Sequence, residues 1–390
     1  LVFNVSALSN GYFAYVADLN TAIPDFTQDD ITGGSVRFVH DGGELAPDFS
    51  ISVSDGVLSS PVVTADINFT GTSDGVLWLS MEGNEGTGSG IPGVELIDLE
   101  DDDVLQQANP NLSLGAAGTI GSDGIDGTDG TFSIAFNASD FAGNENINGM
   151  HYVTQSITIG STNPITLEAG DLILTNLDGA TFVSNGVSPP ANLDVAAEDI
   201  FFFRPDTAGD YSVGNFYLLM SDPFQSGTSI RGITLVEQEI ILPDYTLNAG
   251  DFLFTRFGGA ELNDIWLMQT SAIDPTNGVT FPTVLKLIEG DDIGVDIEDR
   301  IYGLDILEQN ISLGGQSYNA GTILITIDGN DTSDGMGSNS QFVENVDIAA
   351  LSVTQTTLGS GAGNALVTAS LFFDGHDVSD NDVNFDNGNE

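Results

Sequence analysis

An all-β architecture, a short β-sandwich followed by a longer domain of repeated β units, is what this sequence predicts. Three observations carry that expectation. Helix signals are nearly absent: the 390 residues include one lysine, Lys286, and 47 glycines. Clusters of Gly, Asp and Asn recur about every 8–15 residues, the turn spacing of sandwiches, barrels and propellers. Between the clusters lie short apolar runs such as Ile51–Val53, Val76–Leu79, Leu172–Leu174, Phe216–Met220 and Ile323–Ile327. The run Ile200-Phe-Phe-Phe203 is apolar throughout, as expected of a strand buried on both faces.

Residues 1–70 read as the first unit. Its marks are Gly11-Tyr-Phe13, Phe26-Thr-Gln-Asp-Asp-Ile31, Val36-Arg-Phe-Val-His-Asp-Gly42 and Phe49-Ser-Ile-Ser-Val-Ser-Asp-Gly56. This layout resembles the cadherin-like, proteoglycan-type repeat found in tandem in large bacterial surface proteins. The resemblance implies a β-sandwich. The strand region that opens the family's unit would lie upstream of Leu1, so the domain reads as N-terminally truncated. The chain, which starts with Leu rather than Met, reads as a processed fragment. An incomplete sandwich invites completion by a strand from a neighbouring subunit.

Residues 71–390 hold an internal repeat of four units, at about 71–153, 154–236, 237–307 and 308–390. A first block recurs as Asp74-Gly-Val-Leu-Trp-Leu-Ser80, Ala169-Gly-Asp-Leu-Ile-Leu-Thr175, Ala249-Gly-Asp-Phe-Leu-Phe-Thr255 and Ala320-Gly-Thr-Ile-Leu-Ile-Thr326. A second recurs at 198–203, 263–268 and 346–351, and a third at 132–136, 216–220, 284–288 and 369–373. The fourth reads Ile147-Asn-Gly-Met-His-Tyr-Val153, Ile230-Arg-Gly-Ile-Thr-Leu-Val236 and Ile301-Tyr-Gly-Leu-Asp-Ile-Leu307, trailed by Glu237-Gln238 and Glu308-Gln309. The last unit lacks its fourth block after Phe373. Four β blocks per unit predict a propeller-like domain of about four four-stranded units. A four-stranded unit cannot bury both faces alone, so neighbours must stack. A β-sandwich array is the alternative. Over about 300 residues the repeats resemble those of secreted bacterial propeller-like proteins.

Charge narrows the function. Asp and Glu number 58 against six Lys and Arg, a net charge of -52. Nucleic-acid binding needs a basic footprint, which is missing. Anionic membrane surfaces repel such a chain, and no apolar run approaches the roughly 18–20 residues of a membrane span. Cysteine is absent, which excludes disulfides and thiolate metal sites. Self-repulsion of this size calls for screening by salt or bound cations, and Ca²⁺ is the expected cofactor.

Candidate ligands follow from oxygen-rich, glycine-spaced runs, since Ca²⁺ takes six to eight hard oxygens. Asp123, Asp126 and Asp129 lie in Asp123-Gly-Ile-Asp-Gly-Thr-Asp-Gly130. Asp328, Asn330 and Asp334 lie in Asp328-Gly-Asn-Asp-Thr-Ser-Asp-Gly335, without the acid that would close an EF-hand-type loop. Asp291 and Asp292 form a third group, with Asp296, Glu298 and Asp299 beside them, and Glu100-Asp-Asp-Asp103 a fourth. The competing reading is a set of solvated acidic faces.

No catalytic residue is nominated. His40, His151 and His376 lack metal-ligand spacing, and no nucleophile elbow occurs. His151 sits in a β run and reads as part-buried. With 58 acids, carboxylate pairs are guaranteed and say little about glycoside hydrolysis. Trp78, Trp266 and Tyr302 read as core rather than sugar-stacking side chains. The resemblances therefore imply a secreted, structural or adhesive surface module or filament subunit. Its expected partners are itself or neighbouring surface proteins, with glycans as a further class. A propeller that binds a glycan or peptide is the alternative, and a glycosidase-type enzyme the last.

Overall fold

The computed structural model describes residues 1–9, 11–16, 18–40, 48–65, 77–80, 99–107, 132–143, 146–160, 164–223, 228–257, 262–270, 283–296, 300–313, 316–328, 335–343, 345, 347–358 and 364–373. Among them, strands and turns account for nearly everything. The chain divides into two compact units, Leu1–Val76 and Leu77–Glu390.

The first unit is a two-sheet sandwich. Its strands are β1 (Val2–Ser9), β2 (Gly11–Tyr15), β3 (Asp18–Ala22), β4 (Asp25–Thr27), β5 (Val36–His40), β6 (Asp48–Ser54) and β7 (Val63–Thr64). One sheet runs β4-β1-β6-β7 and the other β3-β2-β5. Phe13 of β2 meets Phe26 of β4 and Phe49 of β6 at ring-centroid distances of 5.0 Å each, and so ties the two sheets together. The Phe26–Ile31 block makes a strand end and then one helical turn, α1 (Gln28–Thr32). Thr27 and Asp30 form a reciprocal capping box there, the local device that starts a helix in a chain otherwise poor in helix signals.

The second unit contains four successive sheets. The first comprises β8 (Leu77–Ser80), β9 (Asp103–Gln107) and β10 (Phe132–Asn137), in that order across the sheet. The second takes β11 (Ile147–Tyr152), passes a hairpin of β12 (Ile157–Ile159) and β13 (Ile165–Leu167), and adds β14 (Leu172–Asn176). After a second hairpin, β15 (Ala180–Phe182) and β16 (Leu193–Val195), it finishes with β17 (Ile200–Thr207) and β18 (Asp210–Met220). The third sheet holds β19 (Ser229–Leu235), the hairpin β20 (Ile240–Ile241) and β21 (Thr246–Leu247), then β22 (Phe252–Phe257), β23 (Ile265–Gln269) and β24 (Thr283–Ile288). The fourth repeats the plan with β25 (Ile301–Ile306), β26 (Ile311–Leu313), β27 (Gln316–Tyr318), β28 (Ile323–Ile327), β29 (Ile348–Gln355) and β30 (Leu366–Phe373). Each sheet is antiparallel and open.

Register corrects how the blocks combine. The Ile-x-Gly block pairs with the first block of the following unit: Tyr152 faces Leu172, Leu235 faces Phe252, and Ile306 faces Ile323. The sheets therefore run over 147–220, 229–288 and 301–373, straddling the sequence units. Three sheets have four strands; among the described residues the first has three.

Strand periodicity builds the cores. In β17, Phe201 and Phe203 enter one cluster and Ile200 and Phe202 the opposite one, so this strand is buried on both faces as its apolar run requires. One cluster joins Val104, Phe136 and Phe141 to Leu172, Leu174 and Phe216, linking the first and second sheets. A second joins Ile173, Leu219 and Met220 to Ile233, Phe252 and Phe254. A third joins Leu253, Leu267 and Leu287 to Ile325, Leu351 and Val367. In a fourth, Leu77 and Leu79 of β8 pack on Leu324, Ala350 and Phe372 of the fourth sheet. Burying a Phe of this kind stabilises by about 1.5–3 kcal/mol.

Candidate functional site

The Ile-x-Gly strands β11, β19 and β25 pack against one another in sequence, and their glycines permit it. A Cβ on Gly149 would lie 2.0 Å from the Arg231 carbonyl, and one on Gly232 would lie 2.7 Å from that of Tyr302. Such distances exclude any side chain. At the fifth position of the block, two residues after the glycine and between apolar neighbours, the three strands carry the polar residues His151, Thr234 and Asp305. Backbone proximity brings them together.

The Thr234 hydroxyl donates to Asp305 Oδ1 at 2.8 Å and lies 3.0 Å from His151 Nδ1. With its proton directed to Asp305, the Thr234 hydroxyl presents its lone pairs to His151 Nδ1. The other ring nitrogen, Nε2, lies 3.1 Å from Glu237 Oε1. Glu237 follows β19 and also accepts from the Thr154 and Gln155 N–H groups and the Thr154 hydroxyl, at 2.7–2.8 Å. Glu308, its counterpart after β25, accepts from the Glu237 N–H in turn. Each block thus bonds back to the preceding one through an acid at the same place in the repeat. Burial would raise the Glu237 carboxyl, but bonds from His151 and Thr154 outweigh it and hold it below its ordinary value. Glu308 receives fewer bonds; burial, reinforced by the Glu237 charge, pushes it up to about 7.

This cluster is a polar seam more than a cleft. Thr234 is fully buried and His151 is 9% exposed; the Asp305 side chain, 55% exposed, is where it reaches solvent. The repeat alignment contained its signal: a polar residue between apolar neighbours at the same column of three strands, and an acid after two of them.

Buried acids recur elsewhere as turn builders. Asp171, Asp199 and Asp251 each accept from the N–H three residues earlier, at 2.8 Å, and each returns its own N–H to that residue's carbonyl. Gly170, Gly250 and Gly321 precede the first-block strands with φ of 96°, 92° and 87°, which favours glycine. Arg204 forks onto Asp171 at 2.9 and 2.5 Å, and Lys286 Nζ lies 2.7 Å from Asp264.

The nominated calcium ligands are placed as follows. Asp123, Asp126, Asp129, Asn330 and Asp334 lie outside the described residues, as do Glu298, Asp299 and His376. Asp328 accepts from the Arg300 backbone N–H at 2.8 Å and pairs with its Nε at 2.6 Å. Asp291 accepts from Asn263 Nδ2 at 2.7 Å, and Asp292 from the Ala365 N–H at 2.7 Å. Among the described residues no group of three or more His, Asp or Glu side chains is placed to hold a metal ion. The aromatics are half-buried and covered by neighbours: Trp78 stacks on Tyr152 at 5.0 Å, Arg256 covers Trp266 at 4.0 Å, and Arg231 covers Tyr302 at 3.5 Å. A surface concavity lined by Gly143, Gly179, Ala180, Thr181, Asp194 and Val195 carries no aromatic side chain.

Among the described residues no helix is long and apolar enough to cross a membrane. No curated protein and no solved structure matches the chain. Residues 1–69 match the family described as cadherin-like, whose domains are adhesive or structural modules typical of extracellular proteins.

Proposed function

We propose that the chain is a structural or adhesive module of a secreted surface protein or extracellular filament. It joins a cadherin-like sandwich to a ring of four sheets, self-associates or engages neighbouring surface proteins, and uses calcium to screen its acids. The observation that carries this reading is the cadherin-like match over residues 1–69. Support for the ring comes from the cores: first sheet to second, second to third, third to fourth, and Leu77 and Leu79 of the first onto the fourth. A propeller has this cyclic adjacency. Support for a role without catalysis comes from the polar seam, whose imidazole and carboxylates are engaged with one another and with backbone N–H groups. Support for calcium is the net charge of -52 with six cationic side chains.

The test is a bead assay. Beads coated with the full chain should clump in millimolar calcium and disperse on chelation at matched ionic strength. Beads that stay single in both conditions would remove self-association from the account.

A further inference from the structure

At the start of β9 the chain buries two acids with too few donors. Asp102 is 2% exposed, and neither of its carboxylate oxygens has a hydrogen-bond partner. Asp103 is 1% exposed; its Oδ2 accepts from the Glu100 N–H at 3.0 Å, while its Oδ1 has no partner. An unpartnered buried carboxylate is costly, and proteins pair such groups or give them to metals.

The other sheets show what this position ordinarily receives. Asp103 corresponds to Asp199 and Asp264, the acids that open the second-block strands. Asp199 has both oxygens occupied, by the Ala196 and Asp222 N–H groups at 2.8 and 3.0 Å. Asp264 accepts from the Gly290 N–H at 2.9 Å and lies 2.7 Å from Lys286 Nζ. Asp102 corresponds to Asn263, whose amide donates to Asp291 Oδ1 at 2.7 Å and to the Val295 carbonyl at 2.6 Å. The first sheet thus has an acid in place of the third sheet's donating amide; the second sheet also has an acid there, Glu198, but half-buried, whereas Asp102 is 2% exposed. Leu105 takes the place of Trp266, so Ile134, which faces Leu105, takes the place of Lys286, which faces Trp266. Against the third sheet, one donor and one cation are gone and one negative charge is added. The second sheet, with Leu218 opposite Phe201, also has no cation there, but backbone N–H groups occupy both oxygens of Asp199, whereas the Oδ1 of Asp103 has none.

We propose that Asp102 and the Oδ1 of Asp103 bind a hard divalent cation of the calcium class, standing where Lys286 and the Asn263 amide stand in the third sheet. With two carboxylates as side-chain ligands, most of the six to eight positions around the ion fall to carbonyl oxygens and water. The electrostatics agree. Burial pushes the Asp103 carboxyl up to about 6 against the bond from Glu100, and the charges of Asp102, Glu100 and Asp140 add to the rise. Asp101 is raised too, by burial and by Asp102. A cation reverses both effects.

The proposal sharpens the calcium part of the proposed function and leaves the adhesive part untouched. The experiment is calorimetric titration of the full chain with CaCl₂ at fixed ionic strength, together with melting curves, for wild type and Asp102→Asn. The variant should bind one ion fewer, show a smaller calcium-induced rise in Tm, and melt no lower than wild type without calcium, because a buried charge is gone. Equal stoichiometry and an equal rise would overturn the site while leaving calcium binding elsewhere. A wild type that binds no calcium would overturn both. Should the variant fail to fold, terbium-soaked wild-type crystals decide. An anomalous peak about 2.3–2.6 Å from the Asp102 carboxylate supports the site, and its absence refutes it.

Discussion

The two acids of the seam titrate in opposite directions because they receive different numbers of donors. Glu237, held below its ordinary 4.5, stabilises the fold above that pH and ceases to do so as the pH falls through its depressed value. Glu308 has the opposite sign. The unfolded chain ionises it from about 4.5 upward while the folded chain keeps its proton to about 7, so stability falls as pH rises across that interval. Asp103 adds to the same loss between 3.8 and about 6 in the absence of a bound cation. Glu308→Gln keeps an oxygen for the Glu237 N–H and removes the titration. Urea denaturation at pH 5 and pH 7.5 should show the variant losing less stability than wild type between the two, by on the order of 1–3 kcal/mol. An equal loss in both would show that Glu308 does not carry the pH dependence. At this scale the sequence was only partly legible. The polar column of His151, Thr234 and Asp305 stood in plain view, but a lone histidine in a β run reads as part-buried until its partners, 83 residues away or more, are known.

Among elements, the Ile-x-Gly strand does the most to set the assembly. Its glycine lets one sheet's first strand press on the next, so an added methyl must move backbone. Gly149→Ala should cost more than Gly232→Ala, because the new Cβ would sit 2.0 Å rather than 2.7 Å from the facing carbonyl. Both should exceed Gly179→Ala, where the nearest atom lies at 3.4 Å. Overpacking of this kind costs about 1–3 kcal/mol or more, and melting temperatures in that order are the check. Equal melting of all three would mean that the strands do not meet so closely. The strand runs themselves were readable from alternation and turns: Leu172–Leu174, Phe216–Met220 and Ile323–Ile327 all became strands. The grouping was not. Block content is the same whether the Ile-x-Gly strand closes one unit or opens the next, and only hydrogen bonding such as Tyr152 to Leu172 decides.

On the scale of the whole molecule, the proposed ring rests on Leu77 and Leu79 meeting the fourth sheet. A double-mutant cycle with Leu79→Ala and Phe372→Ala tests it by chemical denaturation. Contact predicts a coupling of about 0.5–3 kcal/mol, while additivity within about 0.5 kcal/mol would open the ring. The sequence by itself determined the all-β class, the cadherin-like start and the repeat, because turn chemistry and period-two patterning are local. It also determined the surplus of negative charge, which is a matter of counting. Tertiary structure alone decided what each acid does. Asp171 and Asp251 are turn builders, Glu237 is a ligand for an imidazole, and Asp102 is left without a donor. The physical reason is that a carboxylate's role depends on the donors brought to it, and those come from strands distant in the chain.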